Sequence, residues 1–99
     1  MRARFHATTP RAFLLNISKT HQRVLHALAQ GGRIQHHRDE RGRIIHIDCF
    51  TREGYRMATC DLPLFVQLKQ RGLIASRGGL AYRITREGLE AVRAQQNNR

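Results

Sequence analysis

The chain has 99 residues, enough for one domain with a modest core, and its Lys and Arg together exceed Asp and Glu by eleven. Sixteen of the 18 basic residues are Arg, whose planar five-donor fork suits phosphate and carboxylate, so the surplus points to an anionic partner. No apolar run reaches the length of a membrane span, and two cysteines without a secretory segment argue against a disulfide framework and for a reducing cytoplasm.

Residues 1–14 are basic, free of acids and partly apolar, a composition that predicts an unstructured extension ahead of a domain at 15–99. Ser18 is a good N-cap, and Ile17, His21, Val24, Leu25 and Leu28 fall at helical spacing until Gly31-Gly32 stops the helix. From Arg33 to Phe50 the period changes to two. Ile34, His36 and Arg38 alternate with Arg33, Gln35 and His37, and Asp39-Glu40-Arg41-Gly42 turns the chain. On the return, Ile45, Ile47 and Cys49 share one face and Ile44, His46, Asp48 and Phe50 the other. This predicts a β-hairpin whose second strand is covered on both sides over part of its length.

Residues 51–60 read two ways. Gly54 followed by Tyr55, Met57 and Thr59 in alternation favours a turn and a third strand, and the alternative is a short helix that completes an orthodox helix-turn-helix with the next element. Asp61 then caps a helix with Pro63 in its first turn, Leu64, Phe65 and Leu68 facing the core, and Gly72 closing its end with Leu73 packed back. Gly78-Gly79 supplies the positive φ angles of a two-residue hairpin loop, which sets Arg77 against Leu80, Ala75 against Tyr82 and Leu73 against Ile84. Thr85 caps a last helix from about Arg86 to Gln95 that buries Leu89 and Val92, ahead of a polar, frayed tail from Gln96. The sum is an α+β domain, similar to a winged helix-turn-helix, with an extra β-hairpin after the first helix.

No constellation marks an enzyme: six scattered histidines and two cysteines lack the orienting group and oxyanion site that a Cys-His nucleophile requires. Cys49, Cys60, His46, His36 and His37 carry zinc-ligand chemistry. The cysteines are eleven apart, however, with no Cys-x-x-Cys or His-x-x-x-His pair, so buried strand cysteines are expected and no metal or other cofactor is assigned. The candidate binding residues are Gln67, Lys69, Gln70 and Arg71 on the helix, Arg77 and Arg83 on the wing, and Arg86 after it. Such a face would dock on an acidic protein patch or on phosphates alike.

A resemblance spans residues 15 to 99. Gln22 to Ala29 with Gly31-Gly32-Arg33-Ile34, then Arg38-Asp39, Gly42-Arg43, Cys49 to Gly54 and Cys60 are similar to the YjhX-type toxin family. Leu73-Ile74, Tyr82-Arg83-Ile84, Val92 to Gln95 and Asn98-Arg99 continue it. Chains of that family begin near the residue matching Leu15, which makes residues 1–14 an extension and Leu15 a candidate start. The resemblance implies a cytoplasmic component of a toxin–antitoxin pair, partnered by its antitoxin, that binds DNA topoisomerase I and keeps it from engaging DNA. It supplies no catalytic residues. The competing reading is a winged-helix transcriptional regulator that binds DNA through Gln67 to Arg71 in the major groove and Arg77 on the backbone.

Overall fold

The computed structural model describes residues 18–97, and the expectations for Ile17, for residues 1–14 and for the last two residues lie outside them. Ser18 caps α1 (Lys19–Ala29) by accepting a hydrogen bond from the His21 backbone N–H, and the helix turns Val24, Leu25 and Leu28 inward. Strands β1 (Arg33–Arg38) and β2 (Ile44–Phe50) then form an antiparallel hairpin. Its loop is built on Asp39, whose Oδ1 accepts from the backbone N–H groups of Arg41 and Arg43 at 2.9 and 2.8 Å.

The hairpin departs from simple alternation at one place. His37 pairs with His46 but Arg38 pairs with Ile44, so Ile45 is the extra residue of a β-bulge. Beyond the bulge Ile44 packs against the core and Ile45 is 57% exposed, which reverses the expected faces of these two residues. The outer face of β2 is also more open than expected: His46 is exposed, and Phe50 is half-buried with the Arg33 guanidinium 4.9 Å from its ring centre.

After β2 the turn predicted around Gly54 forms, but the third strand does not. Thr51 and Tyr55 close the loop through Thr51 N–H to Tyr55 O, and a single bridge pairs Phe50 with Arg56. The chain then leaves the sheet edge because Met57 and Cys60 are drawn into the core, so neither a strand nor the alternative short helix occupies residues 51–60.

Asp61 caps α2 (Leu62–Gln70) through its Oδ1, which accepts from Leu64 N–H at 3.0 Å. The helix ends in a Schellman motif: Gly72, at φ +74°, donates to Lys69 O and Leu73 N–H donates to Leu68 O. That return places Leu73 in the core and leads into β3 (Ile74–Ala75). Gly78 and Gly79, at φ +61° and +78°, make the expected primed turn, with Leu80 N–H donating to Arg77 O.

The pairing beyond that turn is shifted by one residue from the expected register. Ile74 faces Ile84 and Ala75 faces Arg83 on β4 (Arg83–Ile84). The cause lies outside the hairpin. Tyr82 pairs instead with Ile34 of β1, donating to Ile34 O at 2.7 Å and accepting from Ile34 N–H at 2.9 Å, so it is unavailable to Ala75.

Thr85 caps α3 (Arg86–Asn97), its Oγ1 accepting from Gly88 N–H at 3.0 Å and donating to Gly72 O at 2.7 Å. One side chain thus fixes the start of α3 to the end of α2. The buried face of α3 differs from expectation: Ala91 and Gly88 pack inward, Val92 is half-buried, and Leu89 is 38% exposed. Glycine is required at position 88 because the helix there lies against the backbone of Leu73 and the side chain of Ile84.

Among the described residues these elements form a small compact α+β domain of three helices and two small antiparallel sheets around one core. Phe65 and Tyr82 meet edge to face at its centre, ring centroids 4.9 Å apart.

Candidate partner-binding face

The hairpin of β3 and β4 and the start of α3 enclose an open groove of about 460 Å³, and three arginines line it. Arg77 enters the Gly-Gly loop, Arg83 stands on β4 and Arg86 opens α3, so three successive elements deliver cations to one place. Between them lie Ala75, Leu80, Ala81 and Ile84, with Leu80 71% exposed. An apolar patch bordered by arginines suits a partner surface that is itself part apolar and part acidic. Arg86 sits in the first turn of a helix, where the dipole disfavours a cation, and Glu87 beside it supplies the favoured charge.

The seven residues singled out from the sequence therefore divide. Arg77, Arg83 and Arg86 come together, although Arg83 also donates to Gly31 O at 3.3 Å. The α2 residues do not line the groove. Gln67 Oε1 accepts from His21 Nε2 at 2.6 Å, while the His21 ring also meets Ser18 Oγ, which gives this glutamine a structural tie to α1. Lys69 Nζ lies 5.8 Å from the Tyr82 ring centre, Gln70 is exposed, and Arg71 is half-buried with interactions of its own. Leu80 is not among the residues singled out from the sequence, although its position directly after the Gly-Gly tip is the signal that it has no cover.

The zinc-type residues divide as well. Cys49 and Cys60 are free thiols on the buried side. Cys60 is pushed far up from its ordinary value because its thiol hydrogen-bonds to Cys49 and is buried, and Cys49 in turn lies 3.9 Å from Met57 Sδ. His36 packs edge to face on Tyr82 at 5.2 Å, and burial, then the charge of Arg38, holds its pKa below the usual histidine value. His37 and His46 lie on the opposite face of the hairpin and converge on Asp48. The hydrogen bond from His37, with smaller contributions from His46 and Arg56, holds the Asp48 carboxyl below its ordinary range. The sequence places Asp48 on the same strand face as His46, but Asp48 is not among the zinc-type residues it marks.

Residues 15–99 match the family model described as "Putative toxin of bacterial toxin-antitoxin pair". The chain belongs to the YjhX toxin family. A UPF0386 protein of Rhodospirillum centenum is 56% identical over 85 residues, covering 86% of this chain and 99% of its own. A UPF0386 protein of Caulobacter vibrioides is 56% identical over 85 residues, covering 86% of this chain and 93% of its own. One from Aliivibrio fischeri is 49% identical over 85 residues, with 86% and 100% covered. No solved structure matches. Membership in a toxin family of this kind implies an antitoxin partner. Among the described residues no helix is long and apolar enough to cross a membrane.

Proposed function

We propose that this YjhX family protein acts in the cytoplasm by binding DNA topoisomerase I and blocking its engagement with DNA, with its antitoxin as the second partner. The observation that carries this reading is family membership over residues 15–99. The groove of Arg77, Arg83 and Arg86 supports it by offering a cationic, part-apolar surface for an acidic patch. The protein works by occupation and performs no reaction of its own. The test is a plasmid-relaxation assay in which purified protein is titrated against topoisomerase I at several fixed DNA concentrations. Inhibition that follows the ratio of protein to enzyme supports the reading. Inhibition that follows the ratio of protein to DNA, or none at all, overturns it.

A second reading keeps the basic face and exchanges the partner for an operator. Its supporting observation is the adjacency of α2, with Gln70 exposed, to the β3–β4 hairpin carrying Arg77, an arrangement similar to a recognition helix and wing. Two features weigh against it: Gln67 is held by His21, and no helix forms at 51–60 to precede α2 in a helix-turn-helix. Gel shifts with the upstream region and a scrambled control at two salt concentrations separate the readings, since a regulator retains sequence preference as salt rises.

A further inference from the structure

We propose that His37, His46 and Asp48 form a binding site for one divalent transition-metal ion on the outer face of the β1–β2 hairpin. The site is independent of the groove and of the partner it takes.

The sheet register builds it. His37 and His46 are directly opposite across the two strands, so their side chains stand on one face, with ring centroids 5.3 Å apart. Asp48 follows two residues after His46 on the same strand and therefore on the same face. Both imidazoles turn Nε2 toward its carboxylate, at 3.1 Å from His37 to Oδ2 and 3.3 Å from His46 to Oδ1. All three donor atoms lie within 4.8 Å of one another.

The two nitrogen-to-oxygen separations are those of a coordination shell. Bonds of about 2.0–2.1 Å at a tetrahedral angle set neighbouring ligand atoms roughly 3.3 Å apart. Both nitrogen-to-oxygen distances match that edge, and side-chain rotations that draw the two imidazoles together about the carboxylate let an ion replace the hydrogen bonds. Two imidazoles and one carboxylate favour zinc, nickel or copper over magnesium or calcium, which take oxygen ligands. The histidine side chains are 52% and 56% exposed, so the ion enters from solvent and keeps an open coordination position for water or a partner's side chain.

Arg56 sets the affinity. Its Nε lies 3.2 Å from Asp48 Oδ1, on a loop pinned by the Phe50–Arg56 bridge. The guanidinium competes with an ion for the carboxylate and repels it at close range.

The experiment is a calorimetric titration of untagged full-length protein with zinc chloride, read together with the histidine ring resonances. One ion per chain binds with saturation, and only the His37 and His46 rings shift strongly. His46→Ala and Asp48→Asn each weaken binding by about tenfold or more. Arg56→Ala tightens it, and His26→Ala, on the exposed side of α1, leaves it unchanged. Circular dichroism confirms that each variant is folded, and His46→Gln repeats the loss with a side chain of similar size. Uptake without saturation, affinity unchanged in both His46 variants, or shifts centred on other histidines would show the cluster to be a cross-strand ion pair only and overturn the proposal.

Discussion

At the scale of single residues, space decides more than propensity. Gly88 lies inside α3, where Ala normally gains about 1 kcal/mol over Gly. A Cβ there would fall 2.4 Å from Leu73 O and 2.5 Å from Ile84 Cγ1, and neither the backbone oxygen nor the packed isoleucine can yield cheaply. Gly88→Ala therefore destabilises the protein by about 1–3 kcal/mol in urea unfolding, against the propensity scale. Stabilisation by the same change would show that α3 sits farther from β4. The thiols follow the same logic. Cys49 and Cys60 are 1% and 7% exposed; the Cys60 thiol donates to Cys49, which holds the Cys60 proton in place and moves the Cys49 pKa down, so that Cys49 is protected by its burial alone. Neither thiol of the folded protein reacts with a thiol-specific disulfide reagent at neutral pH, while both react after denaturation. Rapid labelling of either in the native state would place it in a more open environment.

At the scale of elements, the joints hold the fold more than the length of any piece does. Strands β3 and β4 have two residues each and survive because Tyr82 bonds to β1 and Thr85 bonds to both Gly72 and Gly88. Removing the hydroxyl in Thr85→Ala leaves the α3 N-terminus uncapped and Gly72 O without its donor, which costs about 1–2 kcal/mol. Thr85→Ser keeps both bonds and stays within about 0.5 kcal/mol of the parent. Thermal unfolding of the pair measures the difference, and equal stability of the two variants would remove Thr85 from its role as the joint.

At the scale of the whole molecule, the formal charge of +11 makes some attraction to any polyanion unavoidable, so specificity has to come from where cations meet shape. If topoisomerase I is the partner, as proposed, replacing Arg77, Arg83 and Arg86 together by Ala weakens its binding by about tenfold or more, because truncating charges covered on docking costs at least about 2 kcal/mol. Stability should change little, since these side chains are at the surface. Calorimetry or surface plasmon resonance with the purified enzyme checks the first point and thermal unfolding the second. Unchanged affinity would move the interface elsewhere. If the groove instead holds DNA phosphates, the same variant lowers the slope of log affinity against log salt by about three.

The sequence by itself determined the pieces whose causes are local: the Ser18, Asp61 and Thr85 caps, the Gly72 stop, the Gly78-Gly79 turn and the apolar faces of α1 and α2. It also carried the family, through identities spread over residues 15–99. Tertiary structure decided whatever required a partner distant in the chain. The pull of Ile34 on Tyr82 shifted the second hairpin by one residue, and the bulge at Ile45 exchanged the faces of Ile44 and Ile45. The demand of the core for Met57 and Cys60 dissolved the expected third strand, and the inner face of α3 took Ala91 and, against Leu73 and Ile84, Gly88 in place of Leu89. The groove of arginines and the convergence of His37, His46 and Asp48 belong to this second kind, because spacing along a chain specifies a face only after the register that pairs the strands is fixed.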